Sequence, residues 1–412
     1  MYDCLVNYFD SLNIICEQQS GFRHGVSTSI AIGKLVQNIF DVFEKKENGI
    51  CLFLDLRKAF DLVDHSILLA KLQHYGIRGN PLKLVESFLH DRTQYVCVGN
   101  CNSNFAKTSI AVPQGSILSP LLFLIFINDF VNCSALLNFN LFADDTSLFL
   151  KDKDIPTLYS NLNIELVKVS DWIKNNKLSL NVGKTVYMLF GKRCMENCPP
   201  LKIFEKPLER VRETKFLGMI LDDQLSWKPH VNCIRGKLAR MVGILHKLDN
   251  FLNPAAKKTI YYSLVQPHLQ YGIVFWSSVV KVEFMKLFRQ QKAIMRKISC
   301  SKKDAHTAPI FKKLGILSLE DLNRLEMCKF IHNDVFFLHR FGIGTRSAVH
   351  SYQTRHHNDL ALPRYLTHKA QKSVFYSGIR LFNDLPPNLK STTDKNSFKI
   401  NLKRRILLEQ IS

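Results

Sequence analysis

The sequence has little that would place it in a membrane or outside the cell. Among 412 residues the longest apolar run, 121–127, is far shorter than the ~20 residues that a transmembrane helix needs. The first residues show no basic stretch followed by an apolar core, as a secretory leader would. The 11 cysteines are odd in number and scattered, which fits a reduced intracellular setting better than a disulfide framework. Neither a membrane nor a secretory role is expected.

Acidic residues are scarce. The chain has 35 Asp and Glu against 56 Lys and Arg, a formal net charge of +21. Residues 1–200 carry 19 basic and 19 acidic side chains, whereas residues 201–412 carry 37 basic and 16 acidic ones. The whole excess therefore belongs to the second part. Such an excess indicates a polyanionic partner, nucleic acid first and an anionic membrane surface second.

The pattern of apolar residues predicts an α+β unit followed by helices. No repeat or low-complexity tract interrupts it, and 46% hydrophobic with 22% charged residues excludes disorder as the main state. Strands are predicted at 50–54, 94–98, 108–112, 186–190 and 215–221, with a hairpin over 138–150. Helices are predicted at 25–44, 64–75, 155–174, along 234–248, after Asn253-Pro254, at 283–298, and from an N-cap at Ser119 to Phe130.

Three Asp residues lie within apolar segments, where a carboxylate is unusual and requires an explanation. Asp55 ends a buried strand, and Asp144-Asp145 lie within the predicted hairpin. Burying an unpaired carboxylate costs several kcal/mol, and the usual compensation is a nearby cation or a bound metal ion. If the two segments are neighbouring strands, the carboxylates meet and suit Mg²⁺. The alternative is plain turn chemistry for Asp-Asp and a strand cap for Asp55.

Five motifs in order resemble those of reverse transcriptases, most closely the enzymes of non-LTR (LINE-type) retrotransposons of the Jockey and CR1 kind. Gln19-Ser-Gly-Phe-Arg-His-Gly precedes them in the expected place, and the resemblance is strong over roughly residues 15–230. The motifs are FLDLRKAFD (53–61), VPQGSILSP (112–120), FADD (142–145), LSLNVGKT (178–185) and FLGM (216–219). The tail, with LFNDLPP at 381–387, resembles the same elements more loosely.

The resemblance implies an α+β right-hand polymerase fold and RNA-directed DNA polymerase activity by two-metal phosphoryl transfer. Two Mg²⁺ ions are expected, with Mn²⁺ as the alternative ion, and the expected partners are an RNA template, a DNA primer, their hybrid and dNTPs. Asp55, Asp144 and the Leu56 carbonyl would hold the metals, with Asp145 as the adjacent carboxylate. Lys184 would protonate the leaving pyrophosphate.

The same resemblance assigns the nucleotide and primer contacts. Phe60 would lie under the incoming sugar and clash with a 2′-hydroxyl, so that dNTPs are selected. Gln114 and Gly115 would lie under the template and the nucleotide. The primer grip would be Phe216, Leu217 and Gly218. Without the motifs, Phe60 would be a core residue, Gln114-Gly115 a tight turn and Lys184 a surface lysine.

The helix over 283–298 is the strongest candidate for contact with a nucleic-acid backbone. Its cations Lys286, Arg289, Lys292 and Arg296 recur every three or four residues and form one row along the helix. The alternative is an ordinary solvated helix face, which charge patterning alone makes equally acceptable.

Four domains are expected: partial fingers (1–50), a palm (51–225), a helical thumb (226–300) and a basic helical tail (301–412). The chain departs from relatives in a short stretch before Gln19, without the fingers cations that grip the triphosphate. Ala111 and Ser119 stand where glycine is frequent. Cys194 and Cys198 have a spacing permitted for zinc, but nothing completes the set and no zinc is expected.

Several readings of function remain open. The alternative to an active enzyme is a truncated retroelement relic that keeps the fold and the nucleic-acid affinity with impaired catalysis. RNA-dependent RNA synthesis is disfavoured by Phe60. Group II intron maturases and telomerase share the palm but match the tail less well. The resemblance places the protein in the nucleus, although no targeting signal is readable.

Overall fold

The computed structural model consists of two compact units, Met1–Arg212 and Glu213–Ser412. The division falls at residue 212, whereas the predicted palm ran to 225; the four domain ranges stay predictions. Within the described part of the chain, no helix is long and apolar enough to cross a membrane. The described residues are 1–191, 198–248, 250–333, 343–349 and 358–409.

The first unit is built on a five-stranded sheet in the order β11-β8-β1-β7-β6. Its central strand β1 is buried at all seven positions and pairs antiparallel with β7 on one side and β8 on the other. The short β11 pairs parallel with β8. The strands of this unit are β1 (Asn48–Leu54), β2 (Thr93–Gln94), β3 (Cys97–Val98), β4 (Cys101–Asn102), β5 (Ala106–Lys107), β6 (Asn138–Phe142), β7 (Asp145–Asp152), β8 (Val186–Phe190), β9 (Lys202–Ile203), β10 (Lys206–Pro207) and β11 (Glu209–Arg210).

Four helices of the first unit lie where the sequence predicts them, whereas the helices Tyr2–Ser11 and Gly79–Leu89 were not predicted. Asp64 caps α3 by accepting a hydrogen bond from the amide of Ile67 at 3.1 Å. The apolar helix α5 is buried from Leu121 to Ile127 beside the sheet, as a helix that is hydrophobic on every side must be. The helices are α1 (Tyr2–Ser11), α2 (Thr28–Lys45), α3 (His65–His74), α4 (Gly79–Leu89), α5 (Leu118–Ile127) and α6 (Ile155–Asn175), with 3₁₀ turns at Ala59–Leu62 and Asn128–Cys133.

Two local predictions were wrong. Ser119 is not an N-cap, because its hydroxyl donates to the Pro113 carbonyl at 2.5 Å and α5 already begins at Leu118. The predicted strand 94–98 is divided between the two-residue strands β2 and β3. The predicted strand 108–112 is absent: β5 ends at Lys107, and an isolated bridge at Ile110 follows. The side chains of Tyr95, Val96 and Val98 are 50%, 64% and 73% exposed. Without a packed face, β propensity produces only short ladders.

The described part of the second unit consists of a β-hairpin followed by helices. The predicted strand over 215–221 is instead this hairpin, and it forms a two-stranded sheet of its own apart from the five-stranded one. Its elements are β12 (Glu213–Phe216), β13 (Met219–Asp222), α7 (Lys228–Lys247), α8 (Pro254–Ile260), α9 (Gln266–Gln270), α10 (Ile273–Trp276), α11 (Lys281–Ile298), α12 (Ala308–Leu314), α13 (Leu319–Asn333), α14 (Arg346–Val349), α15 (His368–Gln371), α16 (Ile379–Asn383), α17 (Pro387–Lys390) and α18 (Lys395–Glu409), with π turns at Tyr261–Val265 and Val374–Gly378.

His230 makes the stability of this unit sensitive to acid. The buried ring accepts a hydrogen bond from the amide of Ile220 through Nδ1 at 3.3 Å, and burial together with nearby Lys237 lowers its pKa to about 4. Because an unfolded His titrates near its ordinary pKa of 6.5, unfolding takes up a proton between these values. We expect the free energy of unfolding to fall by about 3 kcal/mol from pH 6.5 to pH 4.

Urea unfolding at stepped pH, followed by the fluorescence of the buried Trp227 and Trp276, measures this loss. His230→Gln, which does not titrate, should show a flatter dependence over the same window. An equally steep loss in that variant would assign the acid sensitivity to other groups.

Candidate active site

The register of the central sheet brings Asp55 towards the two carboxylates of the hairpin. Asp55 directly follows β1, whose last residue, Leu54, pairs with Thr146 of β7. Continuing this antiparallel register by one residue sets Asp55 opposite Asp145. Side chains at such opposed positions have Cβ atoms ~5 Å apart. The apolar strand therefore ends where the sheet presents its acidic groups.

A two-residue turn presents Asp144. Strands β6 and β7 pair through to Phe142 and Asp145, which leaves only Ala143 and Asp144 to connect them. Ala143 has a φ of +54°, in the left-handed region that a tight hairpin turn requires. Asp144 and Asp145 thus occupy the tip of the hairpin and the first position of its second strand. All three predicted carboxylates lie at one end of one sheet, as predicted.

The three carboxylates interact electrostatically. Loss of hydration raises the pKa of the Asp145 carboxyl, and the charges of Asp144 and Asp55 raise it further. Within the described ranges, no Lys or Arg forms an ion pair with any of the three, and no three His, Cys, Asp or Glu side chains form a preassembled metal site. Carboxylate oxygens without a cationic partner are the donors that Mg²⁺ prefers, so the residues fit the implied metal.

The loop over 179–185 is hydrogen-bonded to both the amide and the carbonyl of Asp55. The amide of Asp55 donates to the buried Thr185 hydroxyl at 3.3 Å, and its carbonyl accepts from the amide of Asn181 at 2.8 Å. No hydrogen bond among the described residues uses the carbonyl of Leu56, the predicted backbone ligand. Lys184 is exposed on this same loop. The structure therefore brings Lys184 into the neighbourhood of Asp55.

Phe60 and the Gln114-Gly115 turn form a second group of predicted site residues. The half-buried Phe60 ring stacks on Phe123 with centroids 4.4 Å apart. The carbonyl of Phe60 accepts from the amide of Val112 at 3.0 Å. This bond joins the backbone of Phe60 to the segment that leads into the Gln114-Gly115 turn. Gln114 is exposed, and its amide donates to Asp61 at 2.9 Å.

Gly115 has the backbone that glycine allows. Its φ is +83°, and a Cβ there would meet no atom within 4 Å. The open space above it is consistent with a surface that lets another molecule approach the backbone closely. Phe60, Gln114 and Gly115 are thus brought together at the surface of the first unit.

Ala111 adopts a strained backbone just before this turn. Its φ of +89° lies in the region that favours glycine, and its amide and carbonyl are held by Val63 and His65. An L-residue there costs ~1–2 kcal/mol, more than the added chain entropy of glycine. We expect Ala111→Gly to stabilise the protein by about 1 kcal/mol in urea unfolding. Ala135→Gly, at an exposed position without positive φ, is the control and should not stabilise.

The predicted primer grip is the turn of the hairpin in the second unit. Leu217 and Gly218 connect β12 to β13 with φ values of +43° and +80°, the pair of positive values found in a type I′ turn. The hydroxyl of Tyr271 donates to the Leu217 carbonyl, and a Cβ on Gly218 would come 3.3 Å from the Tyr271 ring. Phe216 is buried at the end of β12. This turn is held in shape by residues of its own unit.

The cations predicted to contact a nucleic-acid backbone do form a row on α11, but three of the four have partners within the chain. Lys286 forms an ion pair with Glu283 at 2.6 Å, Lys292 lies 4.3 Å from the centre of the Phe288 ring, and Arg296 donates to the Ala305 carbonyl at 2.9 Å. Only Arg289 of the four is exposed. The opposite face, including Leu287 and Ile294, is buried as predicted.

Gln19 and the zinc spacing complete the comparison with the sequence predictions. Gln19, for which the sequence predicted no individual role, is buried against the turn that carries Asp144. A buried amide is not visible in the sequence, and only the place of the motif signalled it. Cys194, one of the two cysteines at the spacing permitted for zinc, lies outside the described residues.

Comparisons with known proteins agree with this geometry. Residues 2–221 match the model of the family described as reverse transcriptase (RNA-dependent DNA polymerase). The chain is 29% identical over 326 residues to the "RNA-directed DNA polymerase from mobile element jockey" of Drosophila melanogaster, a match that covers 76% of this chain and 35% of that protein. The same protein of Drosophila funebris is 29% identical, covering 85% of this chain and 40% of that one.

More distant similarities follow. The "Probable RNA-directed DNA polymerase from transposon BS" of Drosophila melanogaster is 28% identical, covering 69% of this chain and 33% of that protein. A telomerase structure from Candida tropicalis aligns with a TM-score of 0.44 and 13% identity over 79% of this chain and 49% of that chain. The chain thus spans 33% to 40% of the length of these three curated relatives.

Proposed function

Because the chain belongs to the reverse transcriptase (RNA-dependent DNA polymerase) family, we propose that it extends the 3′-hydroxyl of a primer with dNTPs along an RNA template. The observation that carries this proposal is the convergence of Asp55, Asp144 and Asp145 at one end of the central sheet. Priming of DNA synthesis and action in the nucleus, which the resemblance to retrotransposon enzymes implies, are part of the same proposal.

The proposed roles follow from the chemistry of each side chain. Asp55, Asp144 and the Leu56 carbonyl would hold two divalent cations, with Asp145 adjacent. Such ions, when bound, activate the primer hydroxyl and neutralise charge on the phosphates. Lys184, exposed on the loop tied to Asp55, would donate a proton to the departing pyrophosphate.

The remaining predicted contacts select and orient the substrates. The Phe60 ring would close the space that a 2′-hydroxyl needs, and its stacking on Phe123 limits its freedom to move aside. Gln114 and Gly115 offer an amide and an open backbone to the template and the nucleotide. Leu217 and Gly218 would present the second hairpin's turn to the primer.

Primer extension tests the proposed function. The full chain is incubated with an RNA template, an annealed DNA primer, dNTPs and Mg²⁺, and the products are resolved by length. Asp144→Asn is the negative control. Extension by the wild-type chain alone supports the proposal. A folded chain that binds the hybrid without extending it would instead support the alternative, a retroelement relic with impaired catalysis.

Salt dependence tests which cations contact the nucleic-acid backbone. Each phosphate neutralised by Lys or Arg adds ~0.7–0.9 to the slope of log K against log salt. Because Lys286 and Arg296 are held by partners in the chain, we expect the triple change Lys286→Ala, Arg289→Ala and Arg296→Ala to reduce the slope for an RNA–DNA hybrid by only ~1. An unchanged slope would remove α11 from the interface.

A second cluster of cations in the second unit can be compared with the α11 cations in the same salt-dependence measurement. Lys258 of α8 and Lys399 and Lys403 of α18 form no ion pair within the described residues, and partial burial with the charges of Lys399 and Lys258 lowers the pKa of Lys403. Like charges held close together favour an anionic ligand. We expect the corresponding triple alanine variant to reduce the slope by ~2–3, more than the α11 variant.

A further inference from the structure

A short segment between α1 and α2 supports the outer edge of the hairpin that carries Asp144 and Asp145. The amide of Ser20 donates to the Leu141 carbonyl at 2.8 Å, and the amide of Leu141 donates to the Gln18 carbonyl at 3.0 Å. Gln19 and Leu141 form an isolated parallel bridge, so residues 18–20 lie alongside β6. The segment thereby reaches the turn that β6 enters.

The side chain of Gln19 holds that turn from inside. It is 2% exposed, and its Oε1 accepts from the amide of Ala143 at 3.0 Å and from the amide of Gly21 at 2.7 Å. Ala143 is the residue with positive φ immediately before Asp144. The acceptor therefore fixes the peptide unit between Phe142 and Ala143, which comes one residue before Asp144.

The backbone of Gly21 fits tightly against the same atoms. A Cβ at Gly21 would lie 2.4 Å from the amide nitrogen of Ala143 and 3.0 Å from the carbonyl carbon of Phe142. No L side chain fits there without moving the backbone of the turn. Gln19 and Gly21 thus act on one place from two directions, the first by hydrogen bonding and the second by close packing.

We infer that Gln19 is a positioning residue for the metal-holding carboxylates: its Oε1 sets the Ala143 amide, and through it the direction in which Asp144 projects. Loss of the acceptor leaves two buried amides unpaired and the positive φ of Ala143 without its restraint. Metal ligands whose supporting hydrogen bonds are removed lose affinity by ~10–100-fold. The inference rests on the proposed function for its consequence in catalysis, but its structural effect can be measured without it.

The test compares Mn²⁺ binding, followed by electron paramagnetic resonance, in the full chain and in variants without nucleic acid. Gln19→Met keeps the length of the side chain and removes the acceptor, and it should weaken Mn²⁺ binding by about tenfold or more. In primer extension the same variant should need a correspondingly higher Mg²⁺ concentration for half-maximal rate. Gln18→Met, at the exposed neighbouring position, is the matched control and should leave both quantities unchanged.

A second variant separates positioning from a general loss of structure. Gln19→Glu retains an acceptor oxygen, so it should restore most of the Mn²⁺ affinity lost in Gln19→Met. Thermal unfolding of each variant verifies the fold. The inference is overturned if folded Gln19→Met binds Mn²⁺ like the wild type, or if Gln19→Glu is as weak as Gln19→Met. If the wild type binds Mn²⁺ but extends no primer, the proposed function fails while the role of Gln19 is still measured.

Discussion

Replacing Asp144 by Asn is expected to abolish primer extension and at the same time to stabilise the metal-free protein. Loss of one charged metal ligand removes several kcal/mol of transition-state stabilisation, which lowers the rate by ~10³-fold or more. The same change removes one of the two charges that raise the pKa of Asp145. Because Asp145 is exposed and water screens the repulsion, its relief should add only about 0.5 kcal/mol to the free energy of unfolding in the absence of divalent ions.

The pH dependence distinguishes this explanation from an unrelated packing effect. The repulsion exists while Asp145 is ionised, and it disappears as the pH falls through its raised pKa. The stability advantage of Asp144→Asn should therefore shrink towards acid pH, and added Mg²⁺ should stabilise the wild type more than the variant. Asp171→Asn, on an exposed face of α6, is the control and should change neither rate nor stability by much. An advantage independent of pH would argue against clustered carboxylates.

Replacing Phe60 by Val is expected to open the site to ribonucleotides. The smaller side chain removes the ring that would clash with a 2′-hydroxyl. Since a steric difference of this size in a pocket is worth ~1–3 kcal/mol, the preference for dNTPs over rNTPs should fall by ~10–200-fold. The measurement is the ratio of kcat/KM for dCTP and CTP on the same primed RNA template.

The Phe60→Val variant needs a control because its ring also packs. The ring stacks on Phe123 and touches Phe22 edge-on at 6.5 Å, so the variant also loses some stability. Phe22→Val disturbs the same contact without changing the proposed sugar site, and it should retain the selectivity of the wild type. If both variants lose selectivity equally, the effect comes from packing, and the role of Phe60 in sugar recognition is wrong.

The structure at the centre of the first unit could be predicted from the sequence. An uninterrupted apolar run predicted β1, and the carboxylates after it and within the hairpin predicted where charge would gather. The strand prediction succeeds because a buried strand must be apolar. The carboxylates meet because β1 and β7 are antiparallel neighbours, which sets Asp55 opposite Asp145. The resemblance to reverse transcriptases of non-LTR retrotransposons, based on five motifs, is confirmed, and so is the α+β fold class.

The wrong or missing predictions concern residues whose partners are distant in the sequence, and local sequence patterns do not encode such partners. Residues 215–221 are mostly apolar and were predicted as one strand. The sequence does not show that the edge of β8 is taken by Glu209–Arg210 and that β12 and β13 pair with each other. Ser119 before a proline has the composition of a cap, yet the Pro113 carbonyl is the partner of its hydroxyl. Gln19 resembles any polar loop residue until Ala143 is seen beside it.

The central position of β1 has a consequence for synthesis of the chain. Gly49 pairs with Lys151 of β7 and with Phe190 of β8, so neither edge of this buried strand finds its partner until far more of the protein has been made. At ~5–20 residues per second, the ribosome needs roughly 10–30 s to supply the second partner. During that interval an apolar strand with two open edges is exposed to aggregation. Folding of the nascent chain should therefore depend on chaperones that shield it, and slower translation between β1 and β8 should lower the soluble yield.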